Sequence, residues 1–139
     1  MDNLTITKIW SDENEPFFEV RITAHTDIIT VYTDCYASVA MFREIKDKIT
    51  HFADEKPSGN EISVDIGTDN MTSVHIKITG DRAGHILFDI TMILDDDSEP
   101  KHKCSFYLKT ETGLLERFAD SLMYLAEAPV DAEISLIQD

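Results

Sequence analysis

The stretch Leu94–Cys104, LDDDSEPKHKC, holds three successive aspartates, a glutamate, and two lysines flanking a histidine. No other segment concentrates as much ionisable chemistry. Asp95, Asp97 and Glu99 alternate as the oxygen ligands of a calcium loop do, but such a loop needs glycine at its sixth position and glutamate at its twelfth. Here those positions are Pro100 and Phe106, so the match fails. Alternating runs flank the segment, and Asp, Ser and Pro favour turns, which makes it a hairpin connection. Its carboxylates then stand together in solvent as a contact patch for a cation.

The remaining reactive residue types are scattered. His75 falls between Val74 and Ile76, on the polar phase of an alternating run, and His25, His51, His85 and His102 sit at element ends. None has the spacing of a zinc site, and Cys104 two residues after His102 does not complete one. No metal and no cofactor is expected. Neither GxSxG nor a cysteine-protease signature is present. Cys35 and Cys104 fall on apolar phases and read as core thiols. Gly59, Gly67, Gly80, Gly84 and Gly113 build no phosphate cradle. The segment GDRAGH reads as a hairpin turn with Arg82 at its tip. These residues give no reason to expect an enzyme.

The elements that carry these groups are mostly strands. Phe18, Val20 and Ile22 alternate with Phe17, Glu19, Arg21 and Thr23. Ile29, Val31, Thr33 and Cys35 continue the period in the next run. Four more runs follow, with apolar phases Ile62–Val64–Ile66, Val74–Ile76–Ile78, Ile86–Phe88–Ile90–Met92–Leu94 and Cys104–Phe106–Leu108. Two segments switch to helical spacing. One begins after Ser38, a candidate N-cap, carries Met41, Phe42, Ile45, Ile49 and Phe52, and should stop at Lys56–Gly59. The other carries Leu114, Leu115, Phe118, Leu122 and Leu125 between Thr112, a candidate N-cap, and Pro129. The order is three strands, a helix, four strands, a helix and a last strand through Ile134 and Leu136. The expected fold is α+β: one domain over residues 1–139, with a curved, mostly antiparallel sheet of about seven strands and both helices on one face.

With 42% hydrophobic residues the chain can bury a core, and its formal net charge is −15. That field repels phosphate backbones and anionic lipid, so nucleic acid and membrane are poor partners and a basic protein is a good one. The N-terminus lacks a signal-peptide pattern and the cysteines form no CxxC pair, which points to a cytoplasmic protein with reduced thiols. The partner-binding residues expected are Asp95, Asp96, Asp97 and Glu99 at the hairpin tip, with Asp12, Glu13 and Glu15 of the N-terminal loop adding to the field.

From about Ile28 to Leu125 the chain resembles the WapI-like immunity proteins of bacterial polymorphic-toxin systems. The likeness lies in the order of YASVAMFREIKDKI, GHILFDITMIL and CSFYLKTETGLLERFADSLMYL. It implies a small cytosolic protein, not an enzyme, that binds and blocks a cognate toxin domain. A basic toxin nuclease would suit the charge. The alternative expectation is a small-ligand-binding domain, or an enzyme with a pocket between sheet and helices.

Overall fold

The computed structural model describes residues 2–55, 60–67 and 72–137. In order along the chain lie β1 (Asn3–Ser11), β2 (Phe17–His25), β3 (Thr30–Ser38), α1 (Val39–Asp54), β4 (Glu61–Ile66), β5 (Ser73–Gly80), β6 (His85–Leu94), β7 (His102–Glu111), α2 (Thr112–Glu127) and β8 (Glu133–Ser135). The fold is α+β with antiparallel pairing throughout, but the strands form two sheets rather than one. Their orders are β3-β2-β1-β8 and β4-β5-β6-β7. The division falls where β3 runs straight into α1. Alternation dictates which side chains of a strand face inward, and says nothing of which ladder the strand joins.

Most inner-phase residues are buried as their alternation demands, but Ile29 lies before β3 and is exposed, and Cys104 is half-exposed. Val20, Ile22, Val64, Ile76, Ile78, Phe88, Ile90 and Leu108 belong to one apolar cluster with Phe42, Ile49, Phe118 and Leu122. The helices pack on each other and touch both sheets, α1 against β3 and β4, α2 against β6, β7 and β8. Ile62 is only half-buried, and Leu94 is exposed where β6 runs out into its turn. On α2 the buried stripe is Leu115, Phe118, Ala119, Leu122, Leu125 and Ala126, with Leu114 turned partly out.

The helix ends are set in different ways. Ser38 Oγ accepts from Met41 N at 3.1 Å, the bond that an N-cap provides. The stop expected at Lys56–Gly59 lies outside the described residues. At α2 the cap is Glu111, without a side-chain bond, and Thr112 is the first helical residue. Thr112 instead donates to Gly84 O from its backbone N (3.0 Å) and from Oγ1 (3.2 Å), pinning the helix start to the β5–β6 turn. Gly84 holds φ at +86°, a left-handed conformation that a side chain would strain.

The C-terminus of α2 is capped from a distance. Lys8, only 3% exposed, points inward from β1 and donates from Nζ to Ala126 O (3.0 Å) and Ala128 O (2.7 Å). Its ammonium also lies 4.5 Å from the centre of the Phe18 ring. Its backbone is held too: Lys8 N donates to Ala132 O at 2.9 Å, and Asp131 N donates to Lys8 O at 2.8 Å. Burial lowers the Lys8 pKa from its ordinary value, the cost of desolvating the ammonium. The helix-end carbonyls, with the negative end of the helix dipole, offset that cost.

Immediately after Lys8 the β1–β2 register slips. Lys8 pairs with Val20, yet Trp10 pairs with Glu19, leaving Ile9 as an extra residue. Strict alternation from Leu4, Ile6 and Lys8 would turn Trp10 inward; the bulge puts it on the outer face. Replacing Lys8 with methionine keeps the apolar stem and removes the donors. The loss of two charge-assisted bonds, partly offset by the desolvation no longer needed, should destabilise the fold by about 2 kcal/mol. Urea unfolding measures this, and a neutral or stabilising outcome would contradict the structural role given to Lys8.

Candidate functional site

The Leu94–His102 segment is a turn, and much of its charge is paired internally. Asp95 N donates to Thr72 Oγ1 at 2.9 Å, fixing the start of the turn against the foot of β5. Lys101 Nζ donates to Asp95 Oδ1 at 2.7 Å, which raises the lysine pKa. Asp96 Oδ2 meets His102 Nδ1 at 2.5 Å, and that bond holds the Asp96 carboxyl below its ordinary range. Asp96 Oδ1 also accepts from Ser98 N at 3.2 Å. Asp97, at φ +63°, and Glu99 are exposed and make no ion pair among the described residues. Two of the four carboxylates are therefore spent on the turn itself.

Asp12, Glu13 and Glu15 occupy the exposed β1–β2 turn. Asp12 organises it by accepting from Asn14 N through Oδ1 (2.9 Å) and from Glu15 N through its backbone O (3.0 Å). The two acidic turns are not neighbours. The β1–β2 turn opens at Phe17, which pairs with Ser38 at the end of β3. The β6–β7 turn stands near the start of β3, where Leu94, His102 and Cys104 line a shallow groove with Thr30–Thr33. Eight residue steps along β3 separate these ends by roughly 25 Å.

Between them lies the outer face of the first sheet, which is unexpectedly aromatic. Trp10, Glu19 and Tyr36 form one cross-strand row, and Phe17 stands beside it. The ring centres are 5.7 Å apart for Trp10–Phe17 and 5.4 Å for Phe17–Tyr36, the latter edge to face. Exposures of 39%, 38% and 37% for Trp10, Phe17 and Tyr36 leave each ring partly in solvent. Further along the face, Arg21 forms a two-bond pair with Asp34 (2.8 and 3.1 Å) and lies 4.7 Å from the Tyr32 ring centre. The signal for Phe17, Tyr32 and Tyr36 was in the sequence, as aromatics on a polar phase. Trp10 could not be placed there without knowing of the bulge.

On the outer face of the second sheet, Ser73, His75 and Asp65 form a hydrogen-bonded chain. Ser73 Oγ meets His75 Nε2 at 3.1 Å, and His75 Nδ1 meets Asp65 Oδ1 at 2.5 Å. His75 thus stands on the polar phase as expected, though with two partners. Asp65 also borders two concavities: one of about 270 Å³ with Ser63, Lys77, Asp89 and Thr91, and one of about 340 Å³ between α1 and β4 with Glu44 and Lys48. Ser73 lines neither and is 3% exposed. Among the described residues, no three His, Cys, Asp or Glu side chains converge to hold a metal ion.

The cysteines divide. Cys35 is buried, and desolvation pushes its pKa up to about 12. Cys104 is half-exposed at the β3–β7 groove, so it is not the core thiol its phase indicates, because β7 runs past the end of the cover there. Among the described residues, no helix is long and apolar enough to cross a membrane. Comparison with family models, with curated proteins and with solved structures finds no match.

A thiol reagent separates the two cysteines. At mildly alkaline pH the native protein should gain one adduct, at Cys104, and the second only on denaturation, because Cys35 supplies almost no thiolate. Intact mass and peptide mapping read the result. Rapid native labelling of Cys35 would contradict the packing of β3.

Proposed function

We propose that this protein is a binding module for a basic protein, acting as an immunity-type inhibitor that occupies and neutralises a cationic toxin domain. The observation that carries the reading is how the carboxylates are displayed. Asp12, Glu13 and Glu15 in one turn, and Asp97 and Glu99 in the other, are exposed on short hairpins of ordered sheets. In a chain of net charge −15 they extend a negative field toward an approaching partner. Such a field raises the association rate with a cationic surface and competes with nucleic acid for it. Asp95 and Asp96, spent on Lys101 and His102, serve the shape of the turn more than its field. Neither nucleic acid nor an anionic membrane suits this surface, and the reading needs no cofactor.

The test uses the polypeptide encoded by the adjacent gene, expressed alone and together with this chain. The expected result is growth arrest that co-expression relieves, with a complex that co-purifies and weakens as salt rises. A toxic neighbour that this chain neither binds nor relieves contradicts the reading.

A second reading, hydrolysis, has one specific observation in its favour. The Ser73–His75–Asp65 chain has the order of nucleophile, base and orienting acid. The burial of Ser73 argues against it, since a nucleophile must reach its substrate. A fluorophosphonate probe decides between them. The binding-module reading predicts no adduct on Ser73, and stoichiometric labelling there, abolished by His75→Ala, would favour the enzyme.

A further inference from the structure

The outer face of the first sheet sets a carboxylate among partly exposed aromatic residues. Glu19 stands in the middle of a cross-strand row, with Trp10 on one side and Tyr36 on the other. It has no ion pair among the described residues. Phe17 contacts both rings edge-on or tilted, which steadies them. A carboxylate flanked by two aromatic residues offers a guanidinium or ammonium both a counter-charge and a ring quadrupole, with Trp the strongest ring for the purpose. The same face already seats one such cation from within. Arg21 is held by the Asp34 carboxylate and lies over the Tyr32 ring, so chemistry of this kind is compatible with these strands. The Trp10–Glu19–Tyr36 row repeats the aromatic and carboxylate elements; Arg21, two residues along β2, feels the Glu19 charge, but its guanidinium is bonded to Asp34 rather than to Glu19. Asp12, Glu13 and Glu15 rim it at the near end and add charge without occupying it.

We propose that the Trp10–Glu19–Tyr36 row, steadied by Phe17, is the docking point for an arginine or lysine side chain of a basic protein partner. The proposal rests on the basic-partner reading and narrows it to one surface. Partly exposed aromatic side chains beside a carboxylate are the kind of anchor that dominates an interface, whereas the acidic turns act as its rim. Arginine fits better than lysine, because its planar group can stack on one ring while donating to Glu19. A second copy of this chain is a poor occupant, since each carries a net charge of −15.

Trp10 is the only tryptophan, which makes its fluorescence a report from the site itself. The probe is a short arginine–glycine repeat peptide, titrated at low salt by fluorescence and by calorimetry, with a glutamate–glycine repeat as control. The expected result is a saturable change in Trp10 emission with the arginine peptide alone. Glu19→Gln and Tyr36→Ala should each weaken the affinity about tenfold, with circular dichroism and melting unchanged in Glu19→Gln. Calorimetric binding that leaves Trp10 emission unchanged, or that both variants retain in full, overturns this surface while leaving the basic-partner reading intact. No binding by either method overturns both. Emission that depends on protein concentration without peptide would show a second copy on the face, and also overturns the proposal.

Discussion

One buried ammonium ties the N-terminal strand to the C-terminal quarter of the chain. Lys8 Nζ satisfies two carbonyls at the end of α2, and the Lys8 peptide groups bond to Asp131 and Ala132 in the turn that follows. Beyond that turn, β8 contributes only three residues to the first sheet, helped by Leu136 N donating to Leu4 O at 2.8 Å. Without Lys8, the end of α2 would bury carbonyls that nothing else among the described residues satisfies. The charge is tolerated because the helix terminus is itself negative and the Phe18 ring lies over the ammonium. The same residue marks the point where β1 changes phase. With Lys8 turned inward to α2, the bulge at Ile9 lets the strand resume with Trp10 outward. A stabilising device in the core thereby determines what the protein shows to solvent.

The strength of apolar alternation explains what was legible in the sequence. Phe18, Val20 and Ile22, or Ile86, Phe88 and Ile90, could not face water in number, so their strands and inward phases follow from the residues alone. The helical stripes through Phe42, Ile45 and Ile49, and through Phe118, Leu122 and Leu125, are equally forced, as is the Ser38 cap. Which strands share a ladder is another matter, and one sheet became two at β3. Thr112 looked like a cap because of its type, yet the tertiary partner Gly84 claimed its hydroxyl. Lys8 gave no sign of burial, because a lysine on an apolar phase is ordinarily taken for a side chain that reaches back to water.

The candidate site follows the same pattern. Charge is counted easily in a sequence, and Asp95–Asp97 is its densest run of acids. Its partners Lys101 and His102 follow within a few residues, and the hairpin brings them onto two of those carboxylates. Glu19 is a single acid with no charged sequence neighbour of its own sign closer than Glu15, and its setting arises only from strand register. Trp10 and Tyr36 come to it across two different ladders, one of them with a bulge. Local sequence cannot show a pairing that three strands make together.

If the first sheet receives a basic partner, its outer face should be the part of the chain that the partner covers. Hydrogen–deuterium exchange of the chain, alone and mixed with the product of the adjacent gene, measures this most directly. The account predicts slowed exchange in residues 9–19 and 32–38, with the outer face of the second sheet, residues 73–79 and 87–93, unchanged. Protection confined to the second sheet, or to the 94–102 turn, would contradict it.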